Sequence, residues 1–403
     1  MTPSAAPGSP TPTPDDPGMN RHVVICAGES SGDALAAGLV RELSSLAPDV
    51  HYTGMGGARM REAGVTTRFD VSELAVVGLV DVLVQYPRLR RLFRSMCEHL
   101  DATRPDLLIL VDYVEFNLRL AAHARQRGIR VMFYVSPQLW AWRSGRIRRI
   151  QRSVDAMAVL FPFETELYQA EGIPVRYVGN PLVDRVQPPD SPLTTRLGLS
   201  ADTPVVGLLP GSRGGELRRH WPVLVEAARR LHAHEPGLRF AVALAPGVER
   251  ERLEGIASAD GLPLHFVSSE TDTHGLMAES RLLLIASGTA TLEAGLLQAP
   301  MLVFYRMGWL SHAVFSRLVR LDNIALVNIV AGERLVPEYL QRDASPERLA
   351  DDAAALLDDP DRLRQMRERL AIIRERLGEG GADRRAAEMA LELLEHGQLL
   401  EGS

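Results

Sequence analysis

Residues 282–293 read Leu-Leu-Leu-Ile-Ala-Ser-Gly-Thr-Ala-Thr-Leu-Glu, and this stretch decides the fold. An apolar run of strand type is followed by small residues and then by a helix start, which is the strand–turn–helix unit of a parallel sheet. The backbone N–H groups at a helix N-terminus are unpaired and carry positive partial charge, so the turn predicts an anion site. Glu293 follows the turn and is placed to accept hydrogen bonds from the vicinal hydroxyls of a sugar.

A second turn of the same kind lies upstream, where Pro-Gly-Ser-Arg-Gly-Gly at 210–215 follows the apolar run Val205–Leu209. Arg213 stands between the glycine turn and the next helix, where a guanidinium can clamp a diphosphate and stabilise charge on a departing phosphate. Two such loops in one region predict a nucleotide whose phosphates and ribose are held separately.

The same alternation of strand and helix signals extends outward in both directions, from residue 21 to about 340. Apolar runs separated by helices predict two doubly wound α/β domains of similar size, closed by a helical tail. Ligands of such domains bind at the carboxyl ends of the strands, so two facing domains predict a site in the cleft. We expect a leader at 1–19, an N-terminal domain at 20–186, a Pro-containing linker at 187–203, a C-terminal domain at 204–345 and helices returning to the N-terminal domain at 346–403.

Composition excludes several function classes. The 403 residues are 46% hydrophobic and 24% charged, and no apolar run reaches the roughly 18 residues that span a bilayer. The leader is rich in Pro, Ser, Thr and Gly without an apolar segment, which predicts disorder, no signal peptide and a cytoplasmic location. The chain contains no lysine, so phosphate-loop and Schiff-base chemistry that needs an ε-amine is excluded. A net charge of −6 argues against nucleic-acid binding.

Acidic and polar residues follow two strands of the N-terminal half. After the first strand the chain reads Ala27-Gly-Glu-Ser-Ser-Gly-Asp33, so acids stand where a pyrophosphate would otherwise bind, and we expect contacts with sugar hydroxyls instead; a helix cap at Asp33 is the alternative. Asp112 ends the apolar strand Leu107–Asp112 and is our candidate general base, with Glu115 a competing acid and helix capping the alternative.

A cationic amphipathic helix is predicted over Tyr86–Leu100. Leu89, Leu92 and Phe93 recur at helical spacing, and Arg90, Arg91 and Arg94 surround them. Five further arginines in 143–152 adjoin Trp140 and Trp142. This pattern favours contact with a membrane surface; the alternative is a solvated helix face whose apolar stripe belongs to the core.

Seven segments together resemble the lipid-A-disaccharide synthase family. They occur in the family's order and cover nearly all of 21–345: AGESSGD (27–33), GMGGARMREAG (54–64), VSPQLWAWR (135–143), LFPFE (160–164), LLPGSRGGE (208–216), IASGTATLE (285–293) and FYRM (304–307). The resemblance implies a GT-B glycosyltransferase with two facing Rossmann-like domains. It implies inverting transfer of diacylglucosamine from its UDP derivative to diacylglucosamine 1-phosphate, giving lipid A disaccharide 1-phosphate and UDP, with a peripheral contact to the inner membrane and neither metal nor cofactor.

The resemblance assigns roles to residues of this chain. Asp112 and Arg213 are the implied catalytic residues. The implied UDP site consists of Gly211, Ser212, Arg213, Ser287, Gly288, Thr289, Ala290, Glu293 and Asn328. The implied acceptor side consists of Gly28, Glu29, Ser30, Ser31, Asp33, Glu115 and Asn117. The chain departs from the family at Glu115, where the second acid is usually aspartate, and at Asn180, where the family usually has histidine.

Two other functions share the two-domain plan. A non-hydrolysing UDP-sugar 2-epimerase is disfavoured because a soluble substrate needs neither the two tryptophans nor the arginine-rich helix. A non-catalytic protein that binds lipid or nucleotide is disfavoured by the joint presence of Asp112, Arg213 and Glu293.

Overall fold

The computed structural model describes residues 21–28, 30–70, 79–136, 146–308 and 323–400. The strands are β1 His22–Ala27, β2 His51–Gly56, β3 Thr66–Asp70, β4 Leu107–Val111, β5 Arg130–Tyr134, β6 Ala156–Val159, β7 Val175–Tyr177, β8 Val205–Leu209, β9 Arg239–Ala243, β10 Leu264–Val267, β11 Leu282–Ala286, β12 Met301–Tyr305 and β13 Glu338–Leu340. The helices are α1 Ser30–Leu46, α2 Ala58–Glu62, α3 Leu79–Thr103, α4 Val114–Arg125, α5 Arg146–Ser153, α6 Pro162–Gln169, α7 Leu182–Arg185, α8 Leu193–Arg196, α9 Gly214–His234, α10 Arg250–Glu254, α11 Glu270–Glu279, α12 Ala290–Leu296, α13 Leu326–Ala331, α14 Pro346–Leu357, α15 Pro360–Leu370, α16 Ile372–Leu377 and α17 Ala382–His396.

The strands form two parallel sheets. The first has the order β3-β2-β1-β4-β5-β6-β7 and the second β10-β9-β8-β11-β12-β13. Each order reverses direction once, between β1 and β4 in the first sheet and between β8 and β11 in the second. Ligands of open parallel sheets bind beside such a reversal, at the carboxyl ends of the strands. The fold therefore provides two candidate sites, one on each sheet.

Both faces of both sheets are buried, which explains the continuous apolar runs in the sequence. All five residues of β4, Leu107–Val111, are fully buried, and β11 is buried along its length. Helices cover the two faces of each sheet and close four apolar layers. Strands of this type need a helix on each side, so the pattern specifies the doubly wound arrangement that the sequence predicts.

The strands predicted at Leu107–Asp112, at Val205–Leu209 and from Leu282 onward are confirmed within one residue. Two short edge strands were missed. β3 and β13 lie at sheet edges and were not predicted, because their sequences are polar enough to read as loops. Residues 54–56 include two glycines, which are typical of turns, yet they continue β2 as extended strand.

The last helix packs on the first helix of the chain. α17 lies along α1, and two ion pairs tie it to the first sheet unit: Arg176–Glu392 at 2.7 Å and Arg185–Asp383 at 2.8 Å. The Arg130 guanidinium also donates to the carbonyls of Leu393 and Leu394. The segment at 187–203 contains the helical turn α8, whose Leu193 is buried in the core of the second sheet.

Among the described helices, none combines the length and apolar character required to cross a bilayer.

Candidate active site

Asp112 lies at the reversal point of the first sheet in a strained backbone conformation. It directly follows β4, and both Asp112 (φ 51°) and Tyr113 (φ 43°) adopt the left-handed conformation before α4 begins. Two consecutive non-glycine residues there are costly, and such strain is retained mainly at functional sites. The Asp112 side chain is half-buried at this edge. The turn therefore places Asp112 at the edge where open parallel sheets bind their ligands.

Asn117 holds this turn from one helical turn away. Its side chain is fully buried, and its amide Nδ2 donates to the carbonyl of Asp112 at 2.7 Å and to that of Val111 at 3.2 Å. A longer contact of 3.4 Å reaches the carbonyl of Cys26 at the end of β1. One amide thus ties the ends of β1 and β4 together, and Asn117 is committed to the scaffold.

The remaining predicted acceptor-side residues lie beside β1. Gly28 is buried against the ring of Tyr113, and a Cβ there would meet ring carbons at 2.2 Å, so only glycine permits this approach. Ser31 is exposed on the first turn of α1, which Ser30 begins. Glu29 lies outside the described residues.

Asp33 caps a neighbouring helix. Its buried carboxylate accepts the backbone N–H groups of Gly57 at 2.6 Å, Arg59 at 3.1 Å and Met60 at 3.2 Å, at the start of α2. This is the capping alternative that the sequence allowed, although the capped helix is α2 and not α1. The carboxylate stabilises the loop after β2.

Glu115 forms ion pairs with the arginine-rich helix α5. Its carboxylate accepts Arg146 Nε at 2.9 Å and Arg149 Nη1 at 3.1 Å. Burial acts to raise the pKa of Glu115, but the two arginines outweigh it and lower the pKa from its ordinary value. A carboxylate that is held ionised by two arginines is a weak base, so Glu115 is poorly suited to take a proton.

The anion site of the 210–215 turn is filled by a carboxylate of the chain itself. Gly211 has φ +101°, and the turn leads into α9, whose third residue is Glu216. The buried Glu216 carboxylate accepts the backbone N–H groups of Ser212 and Arg213, each at 3.2 Å, and the hydroxyl of Tyr305 at 3.1 Å. Burial, and then the Glu216 charge, raise the pKa of Tyr305 to about 12. The Arg213 guanidinium is half-exposed and lies 3.4 Å from Glu216.

Our sequence prediction missed Glu216 and His220. A glutamate three residues after a helix cap is the signal of a capping box and could have identified the first. His220 lies one turn further along α9 and is fully buried, with Nδ1 2.9 Å from the carbonyl of Pro210 and Nε2 3.0 Å from the backbone N of Arg306. No local sequence motif predicts that a histidine will be buried and hydrogen-bonded to two separate loops.

The turn after β11 leads into α12 at the reversal point of the second sheet. Gly288 and Thr289 are exposed, and Ala290 is half-buried at the first position of α12. The Ser287 hydroxyl donates to the carbonyl of Ile324 at 3.2 Å. Glu293 is partly exposed on the first turn of α12.

His274 lies beside Glu293. Its Nε2 is 3.6 Å from the Glu293 carboxylate, and its side chain is buried. A buried imidazole at this distance restricts the orientations available to the carboxylate.

Asn328 uses all its hydrogen-bonding capacity within the chain. Its Nδ2 donates to the carbonyl of Val336 at 2.9 Å and to the Glu338 carboxylate at 2.6 Å, and its Oδ1 accepts the N–H groups of Leu335 and Val336. Direct contact with a nucleotide would break one of these bonds. Asn180, likewise buried, accepts the backbone N–H of Leu182 at 3.1 Å.

The apolar stripe of α3 packs inward. Leu92 is buried in the core, and Leu89 and Phe93 are partly buried against the same layer, where Phe93 meets the ring of Phe116 edge-on at 5.5 Å. The expected membrane role of Leu92 is therefore wrong, because a side chain filling the core cannot also enter lipid. Arg90, Arg91 and Arg94 are exposed on the outer face of the helix. A cavity of about 330 Å³ beside them is lined by residues that include Arg68, Arg88 and Arg91.

Comparison with known sequences gives one consistent result. The family model described as lipid-A-disaccharide synthetase matches residues 23–392. The lipid-A-disaccharide synthase of Geobacter sulfurreducens is 43% identical over 378 residues, covering 93% of this chain and 98% of the relative. That of Myxococcus xanthus is 42% identical over 379 residues, covering 94% and 98%.

Comparison with solved structures concerns the fold alone. A UDP-GlcNAc 2-epimerase from Neisseria meningitidis, bound to UDP-GlcNAc, superposes with a TM-score of 0.63 at 15% identity, covering 92% of this chain and all of that one. The calicheamicin glycosyltransferase CalG4 superposes with a TM-score of 0.59 at 16% identity, covering 94% and 99%. The predicted GT-B architecture of two Rossmann-like sheets is confirmed.

Proposed function

Because the chain belongs to the lipid-A-disaccharide synthase family, we propose that Asp112 is its general base and that Arg213 holds the leaving nucleotide. Family membership makes the protein a glycosyltransferase of lipid A biosynthesis whose substrates are lipid A precursors. The assignment of chemistry to residues rests on the site geometry. The observation that supports it is the doubly left-handed turn at Asp112 and Tyr113, which follows β4 where the strand order of the first sheet reverses.

The reaction proposed is a single displacement with inversion. The 6-hydroxyl of the acylated glucosamine phosphate attacks the anomeric carbon of the UDP-linked diacylglucosamine. The new C–O bond forms as the bond to the β-phosphate oxygen breaks. Asp112 takes the hydroxyl proton, and UDP leaves with the bonding electron pair. A positioned base of this kind typically contributes about a hundredfold to ten-thousandfold in rate.

The second sheet supplies the nucleotide site. Arg213 stands half-exposed at the start of α9, where a guanidinium can meet phosphate oxygens in a fork. We assign the turn at 287–290 to the phosphates and Glu293, oriented by His274, to the ribose hydroxyls. Charge that develops on the departing diphosphate is then stabilised by groups already in place.

Several residues expected to contact ligand are better assigned to the scaffold. Asp33, Asn117 and Asn328 are buried and hydrogen-bonded within the chain, and the Ser212 N–H is engaged by Glu216. We propose that these groups, with Gly211, shape the loops that contact substrate. Gly28, Ser30 and Ser31 remain proposed for the acceptor side, together with Glu29.

The decisive experiment compares Asp112→Asn with Glu115→Gln. Both substitutions remove one carboxylate from the same edge, and both keep side-chain volume. Turnover is measured by mass detection of the disaccharide phosphate from the two acylated precursors. UDP affinity is measured by calorimetry.

Asp112→Asn is expected to lower kcat by about a hundredfold or more and to leave the UDP Kd within twofold. Glu115→Gln is expected to keep kcat within about threefold. Near-normal turnover of Asp112→Asn would remove the base assignment. A shifted sugar stereocentre in place of disaccharide would indicate an epimerase, and binding without product a non-catalytic protein.

We further propose that the first sheet unit is an acceptor- and lipid-side domain spanning 20–186. A linker at 187–203 joins it to a UDP-sugar domain spanning 204–345, and the helices of 346–403 return to the first unit. The packing of α17 on α1 supports this division.

The exposed arginines of α3 support a peripheral contact with the inner membrane. Arg90, Arg91 and Arg94 lie on the outer face of α3, where they can meet anionic headgroups. Replacing all three by glutamate is expected to abolish sedimentation with vesicles containing phosphatidylglycerol. The same change at Arg362, Arg364 and Arg369 on α15 is the control. Equal sedimentation of the two variants would contradict the assignment.

A further inference from the structure

Arg306 directly follows β12, and both its backbone N–H and its carbonyl are hydrogen-bonded to side chains. His220 on α9 accepts its N–H at 3.0 Å, and Arg219 Nε donates to its carbonyl at 3.3 Å. The next residue, Met307, donates its N–H to the Gln341 side chain at 3.0 Å. These hydrogen bonds restrict the backbone from which the Arg306 side chain extends.

His220 also fixes the loop that carries Arg213. Its Nδ1 lies 2.9 Å from the carbonyl of Pro210, and its Nε2 lies 3.0 Å from both the carbonyl and the backbone N of Arg306. In the neutral tautomer whose Nδ1–H donates to Pro210, Nε2 accepts the Arg306 N–H. Burial lowers the pKa of His220 from its ordinary value and so favours this neutral form. Glu216, one turn earlier, makes a parallel link from Ser212 and Arg213 to Tyr305. The loops after β8 and β12 are therefore joined by two side chains of α9.

These two loops flank the turn that we assign to the nucleotide. β11 lies between β8 and β12 in the sheet. The loop after β8, which leads to Arg213, and the loop after β12, which follows Tyr305, therefore lie on opposite sides of residues 287–290. The guanidinium of Arg306 has its Nε buried without a hydrogen-bond partner, and its charge interacts with the Glu347 carboxylate without forming a salt bridge in the part of the chain that the structure describes. An arginine N–H donor that is desolvated and unpaired is costly, unless a ligand supplies the acceptor.

We propose that Arg306 is a second cationic contact for the diphosphate of the nucleotide, and that His220 is the positioning residue that holds it there. Arg213 and Arg306 approach the diphosphate from the two loops on either side of the turn after β11. His220 sets their separation through its bonds to Pro210 and Arg306. This inference rests on the proposed nucleotide site and adds two residues to it.

The experiment measures binding of UDP, UMP and uridine by calorimetry to Arg306→Ala, with Arg364→Ala as control. Arg364 is also an arginine of the C-terminal half, but it lies exposed on α15 and pairs there with Asp361 and Glu368. Arg306→Ala is expected to weaken UDP about tenfold and to leave uridine within twofold, because the nucleoside lacks the phosphates. The KM for the UDP-sugar should rise by a similar factor, with the acceptor KM unchanged. The control should match the parent protein in all of these.

His220 is tested with Phe and Gln in its place. His220→Phe keeps an aromatic ring but removes both polar contacts, so UDP affinity is expected to fall about fivefold to tenfold while uridine affinity holds. His220→Gln retains a donor and an acceptor and is expected to recover most of the loss. A general packing defect would instead weaken UDP and uridine together, and glutamine would not restore the first selectively.

The outcomes separate this inference from the proposal beneath it. If Arg213→Ala weakens UDP but Arg306→Ala does not, the role given to Arg306 is wrong and the nucleotide site stands. If neither substitution changes UDP affinity, the nucleotide site itself is misplaced. If Arg306→Ala weakens uridine as much as UDP, Arg306 does not contact the phosphates.

Discussion

The carboxyl edges of the two sheets hold their functional groups by different means. In the first sheet, one carboxylate is placed by the backbone itself, through two left-handed residues that a single buried amide secures. In the second sheet, Arg213 has ordinary backbone angles, and side chains of α9 reach across to brace the loops. A general base must be held within about 0.5 Å of its productive geometry, whereas an ion contact tolerates more variation in position. The more rigid support therefore belongs to Asp112, the residue that we propose as the general base.

The largest effect is expected from Asn117→Ala. The substitution removes the donor that holds the carbonyls of Val111 and Asp112, so the left-handed turn should relax and the carboxylate should leave its position. We expect kcat to fall about a hundredfold with the UDP Kd within twofold, measured by the disaccharide assay and by calorimetry.

Asn328→Ala is the matched comparison, because it removes an equally buried asparagine from the second sheet unit. It is expected to weaken UDP severalfold through the loop at 325–336 and to keep kcat within about threefold. Should Asn117→Ala impair UDP binding as strongly as turnover, the two edges are not distinct in the way described.

The sequence was sufficient for the sheets and for placing Asp112 at a sheet edge, because both follow from local pattern. Apolar runs such as Leu107–Val111 mark doubly covered strands, and a polar residue after such a run marks the sheet edge. The hydrogen bonds by which His220 joins the two loops could not be predicted. The bonds of His220 join residues 10 and 86 positions apart, and such contacts leave no periodicity in the chain.

The same reasoning explains why some predicted contacts became scaffold. Asp33, Asn117 and Asn328 have the right chemistry and lie in the right loops, but burial alone decides whether a polar side chain serves a ligand or the backbone. Leu92 illustrates the same limit for apolar residues. An apolar stripe on a helix has the same sequence pattern whether it faces lipid or the core.

Lowering the pH is expected to reduce the stability of the first sheet unit, which contains a buried histidine. His99 is buried against Thr53, with its Nε2 2.7 Å from the threonine hydroxyl, which also contacts His22. Burial, then the charges of Arg68 and His22, lower the pKa of His99 to about 4. The folded-state pKa lies below the unfolded value, so the neutral form's contribution is present above about pH 6.5 and is lost as the pH falls toward 4.

Linkage over that window predicts a loss of about 2 kcal/mol between pH 7.5 and pH 5 from this group. Urea unfolding at the two pH values measures it. His99→Gln, which keeps a partner for Thr53 but does not titrate, should lose about that much less between the two values. An equal pH dependence in both proteins would show that His99 is not the group responsible.

The smallest expected effect tests whether Glu216 supports the nucleotide or competes with it. The Glu216 carboxylate holds the N–H groups of Ser212 and Arg213, which a phosphate would otherwise reach. If the carboxylate preorganises the loop, Glu216→Ala should weaken UDP about fivefold and lower the melting temperature by a few degrees, because the helix cap is lost. Tyr305→Phe removes only the hydroxyl on the far side of the carboxylate and should change the UDP Kd by less than twofold. Tighter UDP binding by Glu216→Ala would mean that the carboxylate competes with the nucleotide and is displaced when it binds. The loop would then change its contacts on binding and would not be preorganised.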